Sequence, residues 1–148
     1  MGSSCLISCS ECFYMKELKI GIGMMYSPEL LMDLDSEFAL LPDLISSKEI
    51  LADIRMLLEE KDAEIADGYG HQVYRCPECN DFFDQFYLRL EYESGSYEVK
   101  YICPECGVSL ERLALDVVEK KPVALEKYPC PKCGNYSLQC SEGPILWD

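Results

Sequence analysis

The chain has 148 residues, with 27 acidic against 13 basic side chains and a formal charge of −14. That length provides for one domain, or at most two, with enough buried surface for a hydrophobic core, so full disorder is excluded. No uninterrupted apolar run approaches the roughly 20 residues of a bilayer-spanning helix, and the acid excess argues against direct binding to phosphate backbones.

The first stretch, Met1 to Cys9, has neither a basic segment nor a long apolar run, so no secretory signal is expected and a cytoplasmic location follows. Cytoplasmic thiols stay reduced, and ten cysteines there point to metal or redox chemistry rather than a disulfide framework. Cys9 and Cys12 form the first Cys-x-x-Cys pair. Leu18, Ile20, Ile22 and Met24 then alternate with Lys19, Gly21 and Gly23 at the period of a one-sided strand. Gly21-Ile22-Gly23 lacks the third glycine of a dinucleotide fingerprint and is read as strand curvature.

Ser27-Pro28-Glu29 opens a short helix with Leu30, Leu34 and Phe38 at helical spacing, ending near Pro42. Ser46-Ser47-Lys48-Glu49 is a capping box for a longer helix, with a stripe of Ile50, Ile54, Leu57, Leu58 and Ile65 and a stop at Asp67-Gly68. Residues 28–67 hold 12 acids against Lys48, Arg55 and Lys61. Amphipathic helices carry such charge on solvated faces, and a single-sign surface also steers encounter with a basic protein. His71, the sole histidine, stands beside Gly68-Tyr69-Gly70 and is read as a solvated loop residue.

Cys76/Cys79, Cys103/Cys106 and Cys130/Cys133 recur every 27 residues as Cys-Pro-Glu-Cys, Cys-Pro-Glu-Cys and Cys-Pro-Lys-Cys, each with a tyrosine two positions upstream: Tyr74, Tyr101 and Tyr128. Between the second and third pairs a period of two places Phe86, Leu88, Leu90 and Tyr92 on one face, followed by a Glu93–Ser96 turn and Tyr97, Val99 and Tyr101. This is a β-hairpin, and setting Tyr92 opposite Tyr97 sets Glu91 opposite Glu98, an unfavourable pair. Leu110 to Val118 fits strand or helix, and Lys120-Lys121-Pro122 interrupts it. Trp147, after Ile145 and Leu146, is read as packing onto a core.

Two turns, each aiming two sulfurs and several amides at one ion, make a closed tetrahedral zinc site, and proline after the first cysteine stiffens the half-site. Thiol-redox motifs use the same spacing but need a single pair on a strand-to-helix turn. Four pairs therefore predict two zinc ions per chain, held by Cys9, Cys12, Cys76, Cys79, Cys103, Cys106, Cys130 and Cys133. The gaps from Cys79 to Cys103 and from Cys106 to Cys130 each hold 23 residues, so loop closure does not choose a pairing. The clearer hairpin favours Cys76/Cys79 with Cys103/Cys106, leaving Cys9/Cys12 with Cys130/Cys133; the sequential pairing is the alternative. Cys5 and Cys140 are expected as small buried apolar residues.

Cys76-Pro77-Glu78-Cys79, the hairpin and Cys103-Pro104-Glu105-Cys106-Gly107-Val108 resemble a zinc ribbon, the rubredoxin-like arrangement of two knuckles on a small antiparallel sheet. More widely, the chain is similar to small bacterial zinc-ribbon proteins with four such pairs, a Gly-Ile-Gly-Met-Met-Tyr stretch (Gly21 to Tyr26) and a Leu-Trp-Asp ending (Leu146 to Asp148), a resemblance that implies no activity. Rubredoxins hold iron, but Asn80 stands where their knuckle has glycine.

The expected fold is α+β: small antiparallel zinc-ribbon sheets with an inserted two-helix segment. It divides into a terminal ribbon (1–26 and 128–148), an acidic helical insert (27–70) and a central ribbon (71–127). Closed cysteine sites leave no open position for catalytic water, so a non-enzymatic protein-interaction or regulatory module is expected, with a protein partner, possibly basic, and no membrane. A nucleic-acid-associated ribbon and an iron or thiol redox protein are the alternatives. Eight thiolates with two zinc ions would deepen the charge to about −18, and Lys16/Lys19, Lys120/Lys121 and Lys127/Lys132 are read as offsetting that charge near the knuckles.

Overall fold

Three small antiparallel sheets, each of three strands, make the frame of the computed structural model, which describes residues 2–22, 27–37, 39–116 and 121–142. The first contains β1 (Ser3–Cys9), β2 (Met15–Ile20) and β9 (Leu138–Glu142) in the order β2-β1-β9. In the second, β4 (Gly70–Arg75) lies between β5 (Phe82–Tyr87) and β8 (Glu111–Arg112). In the third, β6 (Arg89–Tyr92) lies between β3 (Glu64–Ile65) and β7 (Gly95–Glu98). With the helices α1 (Pro28–Met32), α2 (Leu41–Leu44) and α3 (Lys48–Glu60) between β2 and β3, the class is α+β.

Two cores organise these sheets. Cys5, Ile7, Leu18, Ile20, Val73, Phe82, Leu113 and Leu138 fill the first, between the β1 and β4 sheets. Leu31, Leu41, Ile45, Ile54, Leu57, Phe86, Leu88, Leu90 and Val99 fill the second, between the helices and the β6 sheet. Strand β5 joins them, since Phe82 at its start enters one core and Phe86 near its end enters the other.

The alternation of Leu18 and Ile20 does produce a strand with both residues buried. Its partner β1 buries Cys5, Ile7 and Cys9 in alternation, but the apolar Leu6 between them hides that period in the sequence, which gives no sign of a strand there. His71 is likewise not in a solvated loop. It lies in β4, exchanges backbone hydrogen bonds with Gly21 (2.8 and 2.7 Å), and sets its ring edge-on to Phe86 at 5.5 Å. Gly70 is required at that crossing: its φ is +147° and a Cβ would stand 2.9 Å from the Gly21 carbonyl oxygen.

The helical segment has three pieces rather than two. The Ser27 hydroxyl caps α1 by accepting from the Leu30 amide (3.4 Å), but the Asp33 carboxylate accepts from the amides of Asp35 and Ser36 (3.2 Å each) and ends that helix after one turn. Pro42 does not stop a helix; it sits in the first turn of α2, where its missing N–H costs nothing. The cap of α3 is Ser47, one residue after the expected Ser46, accepting from Ile50 at 3.3 Å, so Glu49 is not positioned to close the reciprocal half of a capping box. The helix ends at Glu60, where Asp62 turns left-handed (φ 51°) and the Ala63 amide donates back to Leu57 (3.2 Å). Ile65 therefore belongs to β3 and not to the helical stripe.

The central hairpin differs in register. Tyr92 pairs with Gly95 and Leu90 with Tyr97, so the turn is the two-residue Glu93-Ser94. This register replaces the expected Glu91–Glu98 opposition with Arg89 opposite Glu98 and Glu91 opposite Ser96. Among the described residues of Leu110 to Val118, Glu111–Arg112 is the strand, followed by a Leu115–Pro122 bridge. The expectations for Gly23, Met24, Phe38, Val117, Val118, Lys120 and the Ile145 to Asp148 end lie outside the described residues.

Candidate metal centres

Each Cys-x-x-Cys pair is a tight loop closed by one recurrent bond from the first cysteine's amide to the carbonyl five residues on. The donors and acceptors are Cys9 and Tyr14 (3.1 Å), Cys76 and Asp81 (3.0 Å), Cys103 and Val108 (2.8 Å), and Cys130 and Asn135 (2.8 Å). In the three proline-containing knuckles a second bond returns from the fourth following residue to the first cysteine's carbonyl, at 2.9 Å each time. That donor is left-handed in all three: Asn80 (φ 65°), Gly107 (φ 73°) and Gly134 (φ 79°). Asparagine is among the few residues that tolerate this conformation, so Asn80 reproduces the glycine knuckle instead of departing from it. Its side-chain oxygen also accepts from Arg75.

Folding gathers the pairs into two tetrads. The Sγ atoms of Cys9, Cys12, Cys130 and Cys133 lie within 4.8 Å of one another, as do those of Cys76, Cys79, Cys103 and Cys106. The sequential pairing is not the one formed. Cys9 and Cys12 occupy the tip of the β1–β2 hairpin, and Cys76 and Cys79 the tip of the β4–β5 hairpin. Cys130/Cys133 precede β9, which pairs with β1, and Cys103/Cys106 lie in a loop closed by an Ile102–Ser109 bridge.

The donor geometry fits a tetrahedral ion. A metal–sulfur bond of about 2.3 Å implies a tetrahedral edge near 3.8 Å, and cross-pair sulfurs stand at 3.6 Å (Cys9–Cys133), 3.6 Å (Cys12–Cys130) and 3.9 Å (Cys79–Cys103). Amides already point at the sulfurs: Glu11 at Cys9, Tyr14 at Cys12, Cys79 at Cys76 and Lys132 at Cys130, each at 3.4 Å. Burial opposes ionisation of Cys76, but the amides of Cys79 and Glu78 and the neighbouring thiols outweigh it and bring this thiol down to about 7. Cys130 is likewise brought to about 7, burial being outweighed by the amides of Cys133 and Lys132. In the same tetrads burial and the surrounding thiols push Cys106 up to about 12, and Cys12 reaches about 12 despite the Tyr14 amide. Four sulfurs this close cannot all carry charge unless a cation joins them.

Several residues tie the tetrads together that spacing did not single out. The Tyr14 hydroxyl donates to Asp81 at 2.7 Å and Lys16 pairs with the same carboxylate at 3.5 Å, linking the first hairpin to the second. Arg75, only 8% exposed, donates to Glu111 (3.2 Å) and Asn80 and lies 4.5 Å over the Tyr128 ring. Two of the repeated tyrosines, Tyr74 and Tyr101, meet edge-to-face at 5.3 Å beside the tetrad their knuckles share. The advance signals were the tyrosine's fixed offset from each pair and the place of Lys16 near the first knuckle. Between the tetrads lies a cleft of about 310 Å³ lined by Tyr14, Cys79, Asp81, Glu105, Pro131 and Lys132.

No protein-family model, curated protein or solved structure matches the chain. What the chain itself shows is two cysteine tetrads, each able to hold a metal ion. Among the described residues no helix is long and apolar enough to cross a membrane.

Proposed function

We propose that the protein is a structural zinc protein of the zinc-ribbon type, with one ion in each tetrad, and that it works as a non-enzymatic protein-interaction or regulatory module. The observation that carries this reading is the convergence of eight cysteines into two four-sulfur sets with tetrahedral edges. Four sulfur donors complete the coordination of a zinc ion, leaving no position for a catalytic water. When bound, each ion would tie a hairpin tip to a knuckle far along the chain, the β1–β2 tip to the segment before β9 and the β4–β5 tip to the Cys103/Cys106 loop. Elemental analysis of untagged protein is expected to give two zinc ions per chain, and a strong chelator should unfold much of the sheet structure, since a structural zinc contributes on the order of 10 kcal/mol to folding. One ion per chain, or a red protein with the visible absorption of iron–thiolate, would overturn the zinc assignment.

The partner side of the proposal rests on the acidic helical segment. A groove of about 430 Å³ along α3 is lined by Leu34, Leu51, Ala52 and Met56, with Lys48 and Arg55 as well as Glu59 and Glu60 among its charged residues. The apolar floor suits an amphipathic segment of another protein, and the acid excess of residues 28–67 around it favours a basic one.

A further inference from the structure

Cys5 and Cys140 belong to neither tetrad, and among the described residues they join no other group of three or more metal-ligating side chains. The pairing of β1 with β9 sets Ile7 opposite Cys140 and Cys5 opposite Glu142, which makes the two cysteines diagonal neighbours on one face. Sheet twist shortens one diagonal of such a pair, and here the Sγ atoms approach to 2.7 Å, closer than the 3.6–3.9 Å between sulfurs of different pairs in the tetrads. Cys5 is buried in the first core, whereas Cys140 is half-buried and opens into a cleft of about 250 Å³ lined also by Asp116, Lys121, Leu125, Glu126 and Leu138.

We infer that Cys5 and Cys140 form a redox-responsive dithiol that closes to a β1–β9 disulfide when Cys140 meets a low-molecular-weight disulfide of the glutathione class in this cleft. The Cys140 thiolate attacks one sulfur of the incoming disulfide and expels one thiolate, giving a mixed disulfide. Cys5 then loses its proton and attacks the Cys140 sulfur, expelling the second thiolate. The protein gives up two protons and two electrons, and one small disulfide becomes two thiols. The order of attack follows from the site: the hydrogen bond from Cys5 and the Lys121 charge favour the Cys140 thiolate, while that same sulfur contact and burial disfavour the Cys5 thiolate. In a reducing cytoplasm the pair rests open, as expected of an oxidant-sensing pair rather than a structural bridge. Closure would link residues 135 positions apart and pin β9 to the strand that ends in Cys9. It does not depend on what the tetrads hold.

The test is to expose the full-length protein, with whatever metal it carries on purification, to graded ratios of reduced to oxidised glutathione, then block free thiols and map peptides by mass. The expected result is a Cys5–Cys140 cross-linked peptide lighter by two hydrogens, reopened by dithiothreitol, with all eight tetrad cysteines unlinked. A stable glutathione adduct on wild-type Cys140, a link from either residue to a tetrad cysteine or to a second chain, or no modification at strongly oxidising ratios would overturn the proposal. Cys5→Ala should trap the Cys140 adduct. Cys140→Ser should slow modification of buried Cys5 at least about tenfold; an unchanged rate would refute Cys140 as the attacking residue.

Discussion

Asn80 is the residue that reconciles the first proline-containing knuckle with the other two. Its left-handed backbone and its bond to the buried Arg75 are separable contributions. Asn80→Gly removes only the side-chain acceptor, whereas Asn80→Ala adds the cost of a left-handed alanine, so the alanine variant is expected to be the less stable of the two by about 1 kcal/mol. Denaturant titration of both metal-loaded variants checks this, and equal midpoints would mean the knuckle relaxes away from φ 65°. His71 contributes a pH dependence. Burial holds its pKa below the ordinary 6.5, against a raising influence from Asp84, with Lys19 adding to the lowering. The unfolded chain therefore binds a proton at a pH where the folded protein does not. Stability is full above pH 6.5 and declines as pH falls through the window beneath it. His71→Gln should flatten that slope, measured by denaturation at a series of pH values; an unaltered slope would show that other groups carry it.

At the scale of elements, the two tetrads are held by different pairs of hairpins and loops, so they should lose metal separately. The double variant Cys76→Ser/Cys103→Ser is expected to keep one metal equivalent and Cys9→Ser/Cys130→Ser the other, read by elemental analysis. Loss of both metals in each double variant would point to sequentially paired sites instead. The helical segment illustrates how local side chains override periodicity. Leu30 and Leu34 keep helical spacing, yet the Asp33 carboxylate satisfies the amides that a longer helix would have used.

For the whole molecule, charge distribution matters more than its total. Twelve acids between residues 28 and 67 leave that segment at −9, and some are locally compensated, as where Arg55 pairs with Asp35 (2.7 Å) and Glu59 (3.4 Å) on the surface. Such exposed pairs contribute little to stability, since water and salt screen them. On the proposed reading, the acids left over steer a basic partner. Replacing Glu59, Glu60, Asp62 and Glu64 by glutamine or asparagine should slow association with a partner recovered by pull-down at low salt and have little effect at high salt, with the wild-type rate falling as salt rises. Identical rates for variant and wild type at both salt concentrations would leave only solvation as the role of these acids.

Much of the chemistry was legible in the chain because a Cys-x-x-Cys knuckle is a local object: five or six residues, a proline and a left-handed position specify it, and the repeat of 27 residues displayed it three times. The alternation in β2, the cap at the start of α1 and the stripe of α3 were local in the same sense. Tertiary packing decided what no local pattern encodes. The hairpin takes the register that sets Arg89 opposite Glu98, and β1 and β4 are central strands whose sequences do not alternate, Leu6 interrupting the buried row of Cys5, Ile7 and Cys9, and Val73, Tyr74 and Arg75 being buried in succession. Equal loops of 23 residues carry equal closure entropy, so the hairpin between Cys79 and Cys103 was the only local hint of the tetrads that form, and it is the return of β9 to β1 that carries Cys130/Cys133 to Cys9/Cys12.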